Sequence, residues 1–459
     1  MNINSNSQTT VHFVGIGGIG MSGIAEILLS LGYQVTGSDL NESAVTEKLK
    51  EIGATIYIGH EAKNINSQNV LVHTSAAKKD NPELIAAHEK NIPIMRRAEM
   101  LAELMRLKQG IAVAGTHGKT TTTSMLATIL EESRYNPTYV IGGIVRNLGG
   151  HAKVGGGNFL VAEADESDGS FLLYQPYMSV ITNIDEDHLD HYGSKAKLIE
   201  AFNQFANQIP FYGVCALNAH DPLLMSIREN MKKPVVTFGI ELSSADYQAV
   251  NIKTDKTGTN FELVFRGEKL GPTKISLPGQ HNVLNALGAL AVAHQMGVKV
   301  DIMLAAISKF SGVGRRLELL ASDKGFELVD DYGHHPTEVS ATLGAVVESR
   351  AQKPIVIFEP HRYSRTQLCW NQFIECFDQA EEVYLCQIYP ASEAPIEGIT
   401  SNALCAAINA RGKVKCQLLE NKDALFSKIN ELKSQQQLVV SLGAGSIGKN
   451  VREWVKFNG

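Results

Sequence analysis

Residues 111–123 read IAVAGTHGKTTTT. Ile111–Ala114 form an unbroken run of apolar and small residues, the pattern of a strand covered on both faces. Gly115 and Gly118 then mark a turn, and Lys119-Thr120 opens a helix. Strand, glycine turn and helix in that order make a phosphate-binding loop. Backbone amides cradle the phosphates, the lysine neutralises them, and the threonine hydroxyl reaches Mg²⁺. The longer G-x-x-x-x-G-K-[ST] pattern would need glycine at 113, where this chain has Val113; what stands here is a shorter G-x-x-G-K-T loop, Gly115–Thr120.

Outward from this loop the chain reads as three α/β blocks: 1–109, 110–313 and 314–459. The first opens with the strand VHFVG and then GIGGIGMSGIAE, in which Gly15, Gly17 and Gly20 satisfy G-x-G-x-x-G. The next strand, YQVTGSD, ends in Asp39, about where a dinucleotide fold places its ribose-binding acid. The block predicts a Rossmann-like unit. Its fingerprint fits a diphosphate on a helix N-terminus or simple strand–helix packing. In the central block, FLVAEAD and MSVITNI read as buried strands. VNIKTD and TNFELVF alternate like antiparallel ones, so a mixed sheet is expected. The last block alternates FELVDDYG, PIVIFEP, EVYLCQI and QLVVSLG with helical stretches. It ends in a second G-x-G-x-x-G, Gly443–Gly448, read as packing because no second strand with an acid follows.

Composition excludes several classes. The net charge of −6, spread along the chain, argues against a nucleic-acid binder. No apolar run reaches the roughly 18 residues of a membrane helix, and the start MNINSNSQTT lacks basic and apolar signal regions, so no export is expected. None of the six cysteines falls in a C-x-x-C pair, so reduced thiols in a cytoplasm are expected.

Polar clusters follow the predicted strands. Glu163, directly after an apolar run, is a natural Mg²⁺ ligand beside a phosphate loop. Asp165, Glu166 and Asp168 lie within five residues of it, and Glu166 and Asp168 read equally well as a solvated turn. His188 stands among Asp185, Asp187 and Asp190, either as a second metal ligand or as a hydrogen-bonded corner. Asn282 and Asn285, at i and i+3, suit an adenine edge or a helix cap. Asp330, Asp331, Tyr332, His334 and His335 form one cluster of the last block; His361, Arg362, Tyr363 and Arg365 form the other. Two guanidiniums near imidazoles suit a carboxylate or phosphate, because arginine makes bidentate forks. Adjacent strand ends would bring the two clusters to one cleft.

In order, GIGGIGMSGIAE, AGTHGKTTTT, EADESDGSF, TNIDEDHLD, PGQHNVLNA, GVGRRLE, DDYGHHPTE and EPHRYSRT resemble the Mur ligase family of peptidoglycan synthesis over nearly the whole chain. The short phosphate loop is that family's form. The resemblance implies an ATP-dependent carboxylate–amine ligase in the bacterial cytoplasm, a monomer or weak homodimer. Its substrates would be UDP-N-acetylmuramate, L-alanine and ATP with two Mg²⁺; the alternative attaches a whole tripeptide to the same sugar. The first domain would bind the UDP-sugar, not NAD, through Gly15, Gly17, Gly18, Ile19, Gly20, Met21, Ser22, Asp39 and Ser75. ATP would meet Gly115, Thr116, His117, Gly118, Lys119, Thr120, Thr121, Asn282, Asn285, Arg316, Asp331 and Tyr332. Thr120, Glu163 and His188 would hold the metals. Tyr332, His334, His361, Arg362 and Arg365 would surround the amino acid, with His334 as a base or a hydrogen-bond orienter. Lys119, Glu163, His188, His334 and Arg365 would carry the chemistry, and the last domain would close over the site. Lys195 and Lys197 lie where some relatives carry a carbamylated lysine; no such role is expected here. Two other classes remain: an NAD-dependent oxidoreductase, which would not need the phosphate loop, and a nucleotide switch, which would leave the last block's clusters idle.

Overall fold

The computed structural model describes residues 8–74 and 76–458. Among these residues it has three sheets. The first is all parallel: β1 (Thr10–Val14), β2 (Gln34–Asp39), β3 (Thr55–Ile58), β4 (Val70–His73) and β5 (Ile94–Arg96), in the order β3-β2-β1-β4-β5. The second has ten strands: β6 (Gln109–Ala114), β7 (Thr138–Val145), β8 (Gly150–Lys153), β9 (Phe159–Glu163), β10 (Met178–Ile181), β11 (Val214–Asn218), β12 (Val235–Ile240), β13 (Tyr247–Asp255), β14 (Gly258–Phe265) and β15 (Glu268–Ile275). Their order is β15-β14-β13-β12-β11-β10-β6-β9-β7-β8.

This central sheet is mixed, as expected, but at both edges. β8 runs antiparallel to β7 at one edge. Two-residue connections fold β13, β14 and β15 into hairpins at the other. The third sheet comprises β16 (Glu318–Asp323), β17 (Phe326–Asp331), β18 (Ile355–Phe358), β19 (Glu382–Leu385), β20 (Lys415–Leu418) and β21 (Leu438–Leu442), in the order β16-β17-β21-β18-β19-β20. Only β16 is antiparallel there. One expectation needs correction: β17 and β18 are not adjacent, because β21 lies between them and pairs with both.

Two compact units result. One runs through Val250 and adds Glu262–Thr273 and Leu284–Phe310; the other comprises Asn251–Phe261, Lys274–Val283 and the residues from Ser311 onward. In the first, Phe13, Ile111, Val113, Val161 and Val180 are sealed from water. All but Phe13 lie in the continuous apolar runs read as buried strands. The same unit joins its two sheets through the helix Ile19–Ser30. A Cβ on Gly23 would meet Ala152 at 3.0 Å, and the Ser22 hydroxyl lies 3.1 Å from His151 Nε2. In the second unit, Val329, Val356, Phe358, Val383 and Val440 fill one face of the sheet, and Trp454 is buried with Ile357 and Val439 on the other.

Candidate active site

The phosphate loop is built by its neighbours. β6 ends at Ala114, and Gly115 and Gly118 turn the chain with φ of +126° and +84°. Side chains are excluded there by contact as well as by backbone strain. A Cβ on Gly115 would stand 2.1 Å from Thr182 Oγ1, and one on Gly118 2.3 Å from Asn285 Oδ1. The loop after β10 clamps the turn. The Asn183 carbonyl accepts from the Thr116 amide at 3.0 Å, and its side-chain oxygen accepts from the His117 amide at 2.9 Å. His117 Nε2 lies 3.1 Å from Asp185.

The helix Lys119–Glu132 then begins with a run of threonines, poor helix formers whose hydroxyls compete for backbone. Here Thr123 and Ser124 donate back to the carbonyls of Lys119 and Thr120, at 2.8 and 2.6 Å. With those hydroxyls satisfied, Thr121–Ser124 can be buried. No acidic residue occupies the first turn, so the helix N-terminus is left to attract an anion.

Lys119 Nζ donates to the Gly115 carbonyl at 2.7 Å and to both oxygens of Glu166, at 3.0 and 2.8 Å. Burial disfavours its charge, but Glu166, Asp165 and Glu163 more than offset this, and its pKa lies above the ordinary lysine value. Glu166 is 1% exposed. The solvated-turn reading therefore fails for Glu166 and holds for Asp168, which is exposed and accepts from the Ser170 amide. Burial pushes the Asp165 carboxyl up, yet Lys119 and the Ser167 hydrogen bonds hold it below the usual range.

Glu163, at the end of β9, accepts from the Thr120 hydroxyl at 3.1 Å and from the Gly142 amide at 2.6 Å. A hydroxyl and a carboxylate oxygen in contact are the hard donors that Mg²⁺ takes, so Thr120 and Glu163 fit one ion. His188 adopts a left-handed conformation at φ +58°, and its Nε2 lies 3.5 Å from Asp187. Lys195 and Lys197 are exposed, and Lys195 pairs with Glu186 at 2.7 Å.

The two asparagines diverge. Asn285 Oδ1 accepts from the Thr122 hydroxyl at 3.2 Å, beside the phosphate loop. Asn282 Nδ2 turns back to the Pro278 carbonyl at 2.8 Å.

In the first sheet, the Gly15 turn sits against Thr74, and the Gly17 amide donates to Asp39 Oδ2 at 2.8 Å. Asp39 Oδ1 accepts from the Leu40 amide. Ile19 and Gly20 open the following helix, whose first amides have no intrahelical acceptor. Met21 and Ser22 are buried and face the core. Ser75 and the Asp190 side chain lie outside the described residues.

The second unit gathers the remaining candidates at the carboxyl ends of β17, β21 and β18. Asp331 takes the amides of Gly333 and Leu317, both at 2.8 Å, and burial raises its pKa. Arg315 and Arg316 lie over the Tyr332 ring, 4.8 and 5.2 Å from its centroid. Arg316 also reaches Glu338 at 3.7 Å. The rings of His334 and His361 are 5.7 Å apart, and Arg365 Nη1 lies 3.4 Å from His361 Nδ1. Burial holds His334 down to about 3; burial, then Arg365 and Arg362, hold His361 down to about 4. Both imidazoles are neutral at pH 7. His335 is buried, with its ring on the Thr337 amide and Cys369, so it closes the helix Pro336–Arg350.

Sequence reasoning passed over several contributors. Asn183 holds the His117 amide, Glu338 takes the His334 amide, and Tyr389 stacks on His361. Glu338 had a signal, the capping-box spacing in HPTE. Tyr389 had none, because it sits in irregular chain after β19.

Comparison with known proteins agrees with this anatomy. Residues 10–109 match the Mur ligase family catalytic domain, 113–293 the Mur ligase middle domain, and 315–445 the Mur ligase glutamate ligase domain. A UDP-N-acetylmuramate–L-alanine ligase from Geobacter sp. is 47% identical, covering 95% of both chains. The crystal structure of a UDP-N-acetylmuramate–alanine ligase from Thermotoga maritima is 29% identical with a TM-score of 0.81, covering 98% of each chain. A murein peptide ligase from Psychrobacter arcticus shares the fold, with a TM-score of 0.72 at 24% identity and 98% coverage of each chain. With family models matching most of its length and a relative 47% identical over 95% of it, this chain belongs to the Mur ligase family.

Proposed function

We propose that this protein is an ATP-dependent ligase that joins L-alanine to the lactyl carboxylate of UDP-N-acetylmuramate, releasing ADP and phosphate, in peptidoglycan precursor synthesis. The observation that carries the reading is the 47% identity, over 95% of the chain, to a relative named for that reaction. The phosphate loop and the arginine–histidine cluster supply chemistry that fits it.

A carboxylate is a poor electrophile, so the γ-phosphoryl group of ATP is first transferred to it. The alanine amine then attacks the acyl phosphate and phosphate departs. Lys119 and the first-turn amides hold the charge that spreads over the phosphoryl oxygens. Thr120 and Glu163 would hold one Mg²⁺ and His188 would serve a second, although imidazole is the less usual donor for that ion. Such ions, when bound, neutralise phosphate charge. Arg365 and Arg362 would grip the amino-acid carboxylate. Burial keeps His334 a neutral imidazole at pH 7, in the form that can accept the proton of the alanine amine as a base or orient that amine by a hydrogen bond. Asn285 and Arg316 would serve ATP, and Gly15–Gly20 with Asp39 the UDP moiety.

We divide the chain at 109/110 and 313/314, which leaves each sheet in one domain apart from Gln109 at the start of β6. We place it in the bacterial cytoplasm as a monomer or weak homodimer; its six free cysteines suit a reducing compartment.

The test is phosphate release from MgATP and UDP-N-acetylmuramate with either L-alanine or L-Ala-γ-D-Glu-diaminopimelate as acceptor. Turnover with alanine is expected. Turnover with the tripeptide alone would make the protein a recycling ligase, and silence with both would overturn the reading.

A further inference from the structure

The second G-x-G-x-x-G turn, Gly443–Gly448, has no ligand in this reading. It follows β21, between the two strands that carry the amino-acid cluster, and leads into the helix Ile447–Asn458, which has no acid in its first turn. Such a helix start favours an anion. Here the chain brings its own. Glu359, 5% exposed at the end of β18, accepts from the Ile447 amide at 3.1 Å through Oε1 and from the Ser446 hydroxyl at 2.5 Å through Oε2. The turn leaves no spare room around it. A Cβ on Gly445 would stand 2.4 Å from Glu359 Oε1 and 2.5 Å from Tyr389 Cγ.

Tyr389 passes this order on to the cluster. Its ring stacks on His361, with centroids 5.4 Å apart and planes at 9°. Its amide donates to the Pro360 carbonyl, and its own carbonyl accepts from the Arg362 amide, both at 2.8 Å. On the other flank, Arg315 donates to the Gly443 carbonyl, packs on Gly448 and lies over Tyr332. One turn thus braces both halves of the cluster.

We propose that Glu359 is the built-in anion of this turn and a positioning residue for His361, Arg362 and Arg365. The proposal rests on reading that cluster as the amino-acid site. Glu359 acts through the turn and through Tyr389, not on the substrate.

The experiment varies each substrate in turn in the phosphate-release assay, for the wild type, Glu359→Ala and Glu359→Gln, with and without acetate. Glu359→Ala is expected to raise the L-alanine KM roughly tenfold while the ATP KM stays within about twofold. Glu359→Gln, which keeps the shape and one acceptor, recovers most of that loss. Acetate lowers the alanine KM of Glu359→Ala and raises its thermal midpoint, and does neither to the wild type. A parallel rise of the alanine and ATP KM values overturns the proposal, as does an acetate effect equal in both proteins. Should Glu359→Ala fail to fold, Gly445→Ala crowds the same carboxylate and must show the alanine-selective rise; an unselective loss overturns the proposal. A wild type without alanine-dependent release would strike the functional reading, while stabilisation by acetate confined to Glu359→Ala would still support the built-in anion.

Discussion

Lys119 shows how far a single residue can be read. Its place after Gly118 assigns it to phosphate, and nothing local names the carboxylate it meets before ATP arrives. That partner is Glu166, three residues beyond the metal candidate Glu163 and buried against the lysine. Lys119→Ala is expected to lower turnover by about a thousandfold or more, since in the proposed mechanism it removes charge stabilisation at the transferring phosphoryl group. It also leaves Glu166 buried without its cation, and uncompensated buried charge is destabilising. The thermal midpoint should fall, and adding Glu166→Gln should restore the midpoint but not turnover. Melting curves and phosphate release on the two proteins check this; a double variant as unstable as the single one would remove the pair from the account.

At the scale of elements, the strand–turn–helix opening in 111–123 was legible because every cue is local: an apolar run, two glycines and a lysine. What holds the turn is not local. Asn183 and Thr182 come from the chain after β10, and Asn285 from a helix far along the sequence. Gly118→Ala would pair a φ of +84° with a clash at Asn285 Oδ1. ATP affinity should drop by about tenfold or more from strain of this kind, while UDP-N-acetylmuramate affinity is unchanged. Calorimetric titration with each nucleotide decides it, and equal losses for both would show a general collapse instead. The asparagine pair was less legible. Helical spacing put Asn282 and Asn285 on one face, but their hydrogen bonds run to Pro278 and to Thr122.

At the scale of the molecule, the second unit carries a pH liability. His281 and His361 are held down to about 4 and His334 to about 3, each chiefly by burial. An ordinary imidazole titrates at about 6.5, so as pH falls below about 6.5 the unfolded chain takes up protons that the folded unit refuses. Stability tracks the difference in bound protons between the two states. It should therefore be complete above that value and decline steadily from about pH 6.5 toward pH 4. Thermal melts across this range test it. His334→Gln should flatten the decline, and an unchanged slope would mean that His334 does not contribute.

Much of this protein was determined by sequence alone: an α/β chain in three parts, a phosphate-loop pattern at Gly115–Thr120, a glycine turn at Gly15–Gly20 with the next strand ending in Asp39, and arginine–histidine clusters after two buried strands. These follow from short-range rules of periodicity, turn chemistry and helix termini, which act within a few residues. The tertiary structure decided which strand ends are neighbours. It set β21 between β17 and β18, gave Glu166 to Lys119, and filled the second glycine turn with Glu359. Those outcomes depend on sheet order and on the burial of charge. Both are settled by contacts between residues distant in the chain, where local pattern carries no information.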